Sequence, residues 1–276
     1  MTSILNGYST LKAVKELLVL DLFDATDDSV LNSLINSVSR FIDDKTRRTF
    51  YPRIEARKFD TPADNELWVD DDLLEVISVT NADAATIAPT EYNLLPANAY
   101  PKYAIRLRQS TNEYWKTEND GDSEQVITIN AIWAFRQQYS QRGWVTATTL
   151  GVAMADTTTL TFTATSGTPI KAGNIVRIGN ELMNVSDVTT NVVTVLSRGD
   201  NGSTAATHLI NVPVYVWQVE PDIELACQTI VKNLFHNRQG QNTGGVATVT
   251  GAGVVITPEA TPASAMAIIK NFIRII

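Results

Sequence analysis

The apolar residues change period along the chain, and two helical stripes flank everything that has strand period. Val30, Leu31, Leu34, Ile35, Val38, Phe41 and Ile42 recur every three or four residues, one wide face of a helix capped by Thr26 or Asp27. Lys45, Arg47 and Arg48 close it where the helix dipole favours cations. Ile223, Cys227, Ile230, Leu234 and Phe235 repeat the pattern behind Pro221, with Asp222 and Glu224 in the first turn and His236, Arg238 and Gly240 at the end. Such stripes need a partner, and each is the nearest candidate for the other. The chain between them then leaves a helical frame and returns to it, so the frame is discontinuous. A shorter helix capped by Ser9, with Leu11, Val14, Leu17 and Leu18 on one face, precedes the first stripe.

From about residue 54 to 135 the period is two. Tyr103, Ile105 and Leu107 alternate with Arg106 and Arg108, and Ile127, Ile129, Ala131, Trp133 and Phe135 line one side of another strand. Prolines at 52, 62, 89, 96 and 101 keep these strands short. Residues 144 to 218 are rich in Thr, Val and Gly, with strand patterns at 159 to 165, 192 to 196 and 212 to 216 and recurrent turn signals. The expectation is an α+β protein: a helical bundle with a small β layer, an inserted all-β barrel or sandwich, and a C-terminal arm. Its parts are residues 1–143 (helices, then β layer), 144–218 (inserted β domain), 219–240 (returning helix) and 241–276 (Gly-rich linker and a last short helix behind Thr261 and Pro262). That helix carries Met266, Ile269, Phe272, Ile273 and Ile276; it either folds back on its own core or docks on a neighbour.

Catalytic patterns are missing: there is no phosphate-binding glycine loop, no HExxH and no GxSxG elbow. With two histidines, His208 and His236, and one cysteine, Cys227, the usual zinc ligand sets cannot form. Residues 118 to 122 look like a calcium loop until Gly121 is set at its turn position, which puts Lys116 and Ile127 where ligands belong. Arg198-Gly199-Asp200 runs into Asn201-Gly202, a turn signal rather than an adhesion motif. Asp70, Asp71 and Asp72 have no partner group in sequence that would make them acid and base, and Cys227 reads as a small core residue. The expectation is no enzyme, no metal and no cofactor. No apolar run has the length of a membrane span and the N-terminus has no signal-peptide core, so no membrane association is expected.

The chain carries 30 acids and 22 bases, a net charge of −8, which disfavours a groove that grips DNA. Two blocks of charge nevertheless sit side by side. Residues 40 to 58 hold seven bases against Asp43, Asp44 and Glu55, and residues 59 to 75 hold seven acids and no base. Adjacent acids cancel the field of the bases within a Debye length of roughly 8–10 Å. Internal ion pairs come first among the uses of these blocks. Complementary patches between copies, with Arg47, Arg48 and Arg57 against Asp70, Asp71 and Asp72, come close behind and would give a head-to-tail contact that can close into a ring.

The ordered series of Asp27-Asp28 at the long helix, residues 42 to 52 (IDDKTRRTFYP), 55 to 60 (EARKFD), 67 to 76 (LWVDDDLLEV) and Tyr92-Asn93-Leu94-Leu95-Pro96 with Pro101 and Ile105 resembles the head–tail connector (adaptor, or head completion) proteins of tailed phages. The likeness covers about residues 8 to 140 and, more loosely, 221 to 240; the segment from Gly173 to His208 is similar to a β module of phage virion proteins that simpler connectors lack. The resemblance implies a structural virion protein of the neck, assembled in the host cytoplasm. It implies a homo-oligomeric ring, usually a dodecamer, that binds the portal protein, extends the DNA channel and meets a tail or nozzle protein, with DNA passing unbound by sequence. It also implies that the C-terminal segment docks on the portal through Ile269, Phe272, Ile273 and Ile276. The competing expectation is a virion-associated binding module whose β insertion recognises a host glycan or a tail-fibre protein.

Overall fold

The computed structural model describes residues 2–238, 248–249, 255–256 and 261–274. The chain is α+β, with five helices and two antiparallel six-stranded sheets among the described residues. It divides into two compact units. One, the helical unit, comprises Met1–Arg47, Val145–Asp200 and Thr204–Ile276; the other, the sheet unit, comprises Arg48–Trp144 with Asn201–Ser203.

In the helical unit, α1 (Leu11–Leu18), α2 (Asp28–Thr46), α4 (Pro221–Arg238) and α5 (Ala263–Lys270) pack on one another. The stripes find each other as their spacing predicts: Leu31, Ile35, Val38 and Ile42 of α2 and Ile223, Cys227, Ile230 and Phe235 of α4 are buried, and α2 packs against α4. Leu234 is only half-buried, and Ala226 and Val231 take the remaining core positions. The first cap differs by one residue from expectation. Thr10 caps α1, its hydroxyl accepting from the Ala13 N–H, while the Ser9 hydroxyl is buried and accepts from Gln228 Nε2 at 3.1 Å.

The N-terminal strip has a physical reason to lie on α2. Asn32, Asn36, Ser39, Arg40 and Asp43 recur at helical spacing beside the apolar face. Asn32 and Asn36 Nδ2 donate to the carbonyls of Thr2 and Ser3, and Asn36 Oδ1 accepts from the Leu5 N–H. The Ser39 hydroxyl accepts from the Tyr8 N–H, and the Tyr8 hydroxyl donates to Asp43. Tyr8 and Ile4 are thereby held in the core.

The unit also contains, but for Trp144, the sheet β7 (Trp144–Thr149), β8 (Thr161–Thr163), β9 (Ile175–Ile178), β10 (Glu181–Thr189), β11 (Val192–Val195) and β12 (Pro213–Trp217), in the order β7-β12-β9-β10-β11-β8. It does not close into a barrel. Beyond its end strands, Leu150 and Ala164 form a single bridge rather than a ladder, around a core of Leu150, Phe162, Val176, Ile178, Met183, Val193 and Val214. Asn184 ties this sheet to the N-terminal strip, its Oδ1 accepting from the Asn6 N–H at 2.9 Å.

The sheet unit is built on β1 (Arg53–Phe59), β2 (Glu66–Thr80), β4 (Tyr92–Leu95), β5 (Lys102–Leu107) and β6 (Ile127–Trp133), in the order β1-β6-β2-β5-β4, with β3 (Thr86–Ile87) on β2. Leu73, Val79, Ile105, Ile127, Ile129 and Trp133 form its core. The short α3 (Tyr139–Arg142) follows. Residues 118 to 122 form a turn closed by the Glu118 N–H on the Asp122 carbonyl. Of the expected linker, only β13 (Thr248–Val249) and β14 (Val255–Ile256), an antiparallel pair, lie within the described residues; Gly240 and Ile276 lie outside them.

Candidate functional site

The charge blocks meet on β1 and β2. Arg53, Glu55 and Arg57 alternate along β1 and so share one face. Arg53 and Arg57 each donate to Asp71 Oδ2 at 2.8 Å, Arg57 reaches Asp70 at 3.1 Å, and Glu55 sits between the two guanidiniums at 2.9 Å from each. Arg57 also lies over the Trp133 ring, 4.5 Å from its centroid. Burial works against the Arg57 charge, but Glu55, Asp71 and Asp70 together hold its pKa above the ordinary arginine value.

The three aspartates do not simply alternate between faces. β2 loses register with β5 between Trp68 and Leu73, and with β6 between Leu73 and Glu75. A bulged strand re-aims its side chains, so Asp70 and Asp71 share Arg57 while Asp72 turns to Arg48. That last pair is buried: the Asp72 side chain is 1% exposed and that of Arg48 13%. Arg48 stacks over Phe135, 4.5 Å from the ring centroid. Backbone bonds run alongside, from the Phe135 N–H to the Thr49 carbonyl and from the Ala134 N–H to the Asp72 carbonyl. The structure therefore joins residues 42–52 and 67–76 at one ion pair. Five of the six charges named for contact between copies are engaged within the sheet unit. Arg47 is exposed; it ends α2 in the left-handed region, its N–H on the Asp43 carbonyl.

The C-terminal anchors divide. Ile269 and Phe272 are buried in the helical unit, where α5 packs on α2 and α4, and the Arg274 N–H donates to the Thr46 carbonyl. Ile273 is 43% exposed. Within this chain Ile269 and Phe272 are therefore core residues, buried where α5 and the residues after it pack on α2 and α4.

Sequence reasoning missed a third cluster. Glu181, at the start of β10, has a fully buried side chain that accepts from Arg198 Nε at 2.7 Å and Nη2 at 3.0 Å, from the N–H groups of Gly199 and Ala206, each at 3.1 Å, and lies 2.7 Å from His208 Nε2. Burial pushes the Glu181 pKa up, but Arg198, His208 and the Ala206 N–H outweigh it and the net direction is down. Arg198 further donates to the carbonyls of Asp156, Thr159 and Ala206. Asp200 accepts from the Asn184 N–H and Nδ2. Both charged ends of the Arg198-Gly199-Asp200 tripeptide thus point inward. The next two residues turn with positive φ and belong to the sheet unit: the Ile54 N–H donates to the Asn201 carbonyl at 2.8 Å, and a Cβ on Gly202 would stand 2.0 Å from the Ile54 oxygen. Glycine is required there by contact as well as by φ. In sequence Arg198 reads only as part of a turn and His208 only as one of two histidines; the strand-borne carboxylate that brings them together is not read at all.

Among the described residues no group of three His, Cys, Asp or Glu is placed to hold a metal ion, and no helix is long and apolar enough to cross a membrane. Guanidinium–carboxylate lattices of this kind hold both partners ionised and oriented, which fixes strands and loops in place. No protein-family model matches the chain, and no curated protein matches it in sequence.

Proposed function

We propose that this chain is a structural virion protein, a head–tail adaptor whose copies form a ring, usually of twelve, beneath the portal, extend the DNA channel and meet the tail or nozzle protein. The observation that carries the reading is the Arg48–Asp72 pair. The two stretches most like phage connectors, 42–52 and 67–76, are joined by this one buried pair within the sheet unit. The net charge of −8 suits a conduit wall that DNA passes without sticking. Portal docking by the C-terminal segment falls to Ile273, exposed just beyond the end of α5, with Ile269 of α5 and Phe272 after it holding the segment in the core.

The competing reading, a β module that recognises a host glycan, calls for exposed aromatic rings on which sugars stack. The large apolar residues exposed on that module are aliphatic among the described residues: Val145, Val152, Leu160, Val192, Leu209 and Ile210. The adaptor reading therefore leads. Mixing the full chain with portal rings of the same phage and weighing the product by native mass spectrometry tests it. The expected product holds as many chains as portal subunits; absence of any complex across a range of salt overturns it.

A further inference from the structure

The loop between α1 and α2 is an apolar tip on a rigid stem. Val19 is 90% exposed, Phe23 97% and Leu22 42%, and every residue from Asp21 to Thr26 is exposed. Exposed apolar loops are usually mobile, but this one is pinned from below. Lys15, whose side chain is 4% exposed, sends its ammonium to the Asp24 carbonyl at 2.6 Å and to Asp28 at 2.5 Å, with the Leu22 carbonyl at 3.5 Å. Asp21 Oδ1 accepts from the Phe23 N–H and Asp24 Oδ1 from the Thr26 N–H. The backbone itself is strained at the base. Val19 ends α1 at φ 57°, ψ 37°, the left-handed position that glycine normally fills and that a β-branched side chain rarely tolerates. Strain kept together with exposed apolar surface points to contact with another molecule.

The tip is also acidic: Asp21, Asp24 and Asp27 interleave with its apolar residues. A receptor of matching chemistry lies on this same chain. The sheet unit carries a groove of about 770 Å³ with half-buried Val76, Leu94 and Leu95 on its floor and Lys102, Arg106 and Arg108 among its lining, against the single carboxylate of Glu75. Glu75 is already engaged by the Tyr139 hydroxyl at 2.6 Å. In a protein of net charge −8 this groove has the opposite sign. Its cations differ in access: Lys102 is buried, its ammonium held by the carbonyls of Pro96 and Ala97 and the face of the Tyr100 ring, and burial draws its pKa down, whereas Arg106 and Arg108 are exposed. The Arg108 guanidinium bonds Asn93, while Arg106 pairs with Glu66. A dry cavity of about 150 Å³ accommodates a benzene ring, so the groove has ample room for Phe23 and Leu22.

We propose that the Val19–Phe23 tip of one copy docks into the Leu94–Arg108 groove of a second copy, a head-to-tail contact between copies of this chain. The tip and the groove are different surfaces, so the contact is heterologous and repeats around a ring or along a filament. It rests on the adaptor reading only for the number of copies.

The test places a photoreactive benzophenone amino acid at position 23 of the full chain and mixes isotopically labelled with unlabelled copies, free and with portal rings. Irradiation is expected to join position 23 to residues 92–108 of a different copy in at least one of the two states. Without the photoprobe, Phe23→Asp is expected to weaken self-association about thirtyfold, the loss typical of a central anchor. Asp21→Arg and Arg108→Glu should each weaken it, and the chain carrying both should recover. Cross-links absent from both states, or mapping outside the groove, overturn the inference, as does unchanged association of Phe23→Asp. Portal binding without cross-links from position 23 would leave the adaptor reading standing and remove only this contact; cross-links without portal binding would do the reverse.

Discussion

Replacing Glu181 with Gln tests whether the buried cluster organises the β module. The carboxylate of Glu181 is 0% exposed and faces Arg198, at 3%, and His208, at 7%. Its two oxygens take donors only: two from Arg198, the N–H groups of Gly199 and Ala206, and His208 at the same oxygen as Ala206. Glutamine keeps the shape but offers one accepting oxygen. Its amide N–H₂ would meet either the Arg198 Nε and Gly199 donors or the Arg198 Nη2, Ala206 and His208 set, and the guanidinium would lose its counter-charge. Breaking one side of a buried ion pair costs about 3–5 kcal/mol.

Hydrogen exchange at the Gly199 and Ala206 amides reads that loss locally. About 3 kcal/mol is a drop of roughly a hundredfold in protection. A cycle with Arg198→Met should show a coupling of about 1.5–3 kcal/mol. Acid has the same target. The Glu181 pKa is lower folded than unfolded, so its contribution is complete above the unfolded value, about 4.3, and is lost as pH falls through the folded value. Urea unfolding of the wild type should therefore weaken more steeply with acid below pH ~4.3 than that of Glu181→Gln. Additive single changes of under about 1 kcal/mol, with protection intact, would refute the cluster as the organiser.

Two other outcomes follow from buried groups. Arg48→Met should destabilise the sheet unit by about 3–5 kcal/mol, because the Asp72 side chain is 1% exposed and loses its cation; Arg48→Met with Asp72→Leu should recover part of it in urea unfolding, and a single change below about 1 kcal/mol would contradict a buried pair. Burial pushes the Cys227 thiol up to about 12, beside the Ser39 hydroxyl. Alkylation by iodoacetamide at pH 8, followed by mass, should wait for unfolding, and rapid labelling of the native chain would show that α2 and α4 open there.

What the sequence disclosed was periodicity, and what it hid was reach. The α2 and α4 stripes were readable because each face repeats within a few residues, and Cys227 fell on one of them. Lys15 was not, since lysine in a helix normally reaches water; nothing local shows that the next loop turns its carbonyls back onto the ammonium. The polar edge of α2 that holds the N-terminal strip was concealed because Asn, Ser and Asp look the same solvated as paired. Glu181 and Arg198 are 17 positions apart, on a strand and on a loop, and only the fold makes them neighbours. The bulges of β2 cancel strict alternation at Asp70–Asp72, which period two cannot anticipate. The arm stood open between two placements because burying Ile269 against α2 and α4, or against another protein, demands the same apolar pattern.

The engaged charge blocks alter where contact between copies has to be sought. Arg48, Arg53 and Arg57 hold Asp70, Asp71 and Asp72 at 3.1 Å or less. A neighbour that competed for them would have to open those pairs first, including one that is buried, so the most charged stretch of sequence is a poor source of intermolecular attraction. Charges that are exposed and have few internal partners serve better: Asp21 and Asp24 of the α1–α2 tip, and Arg108 in the groove. Such a contact would be steered by exposed charge and sealed by Phe23, so added salt should slow its formation more than it speeds its release. A contact made through the Arg57–Asp71 lattice would behave differently, since those charges are already paired with one another within their own sheet. The salt dependence of association and dissociation rates thus separates the two surfaces without altering a residue.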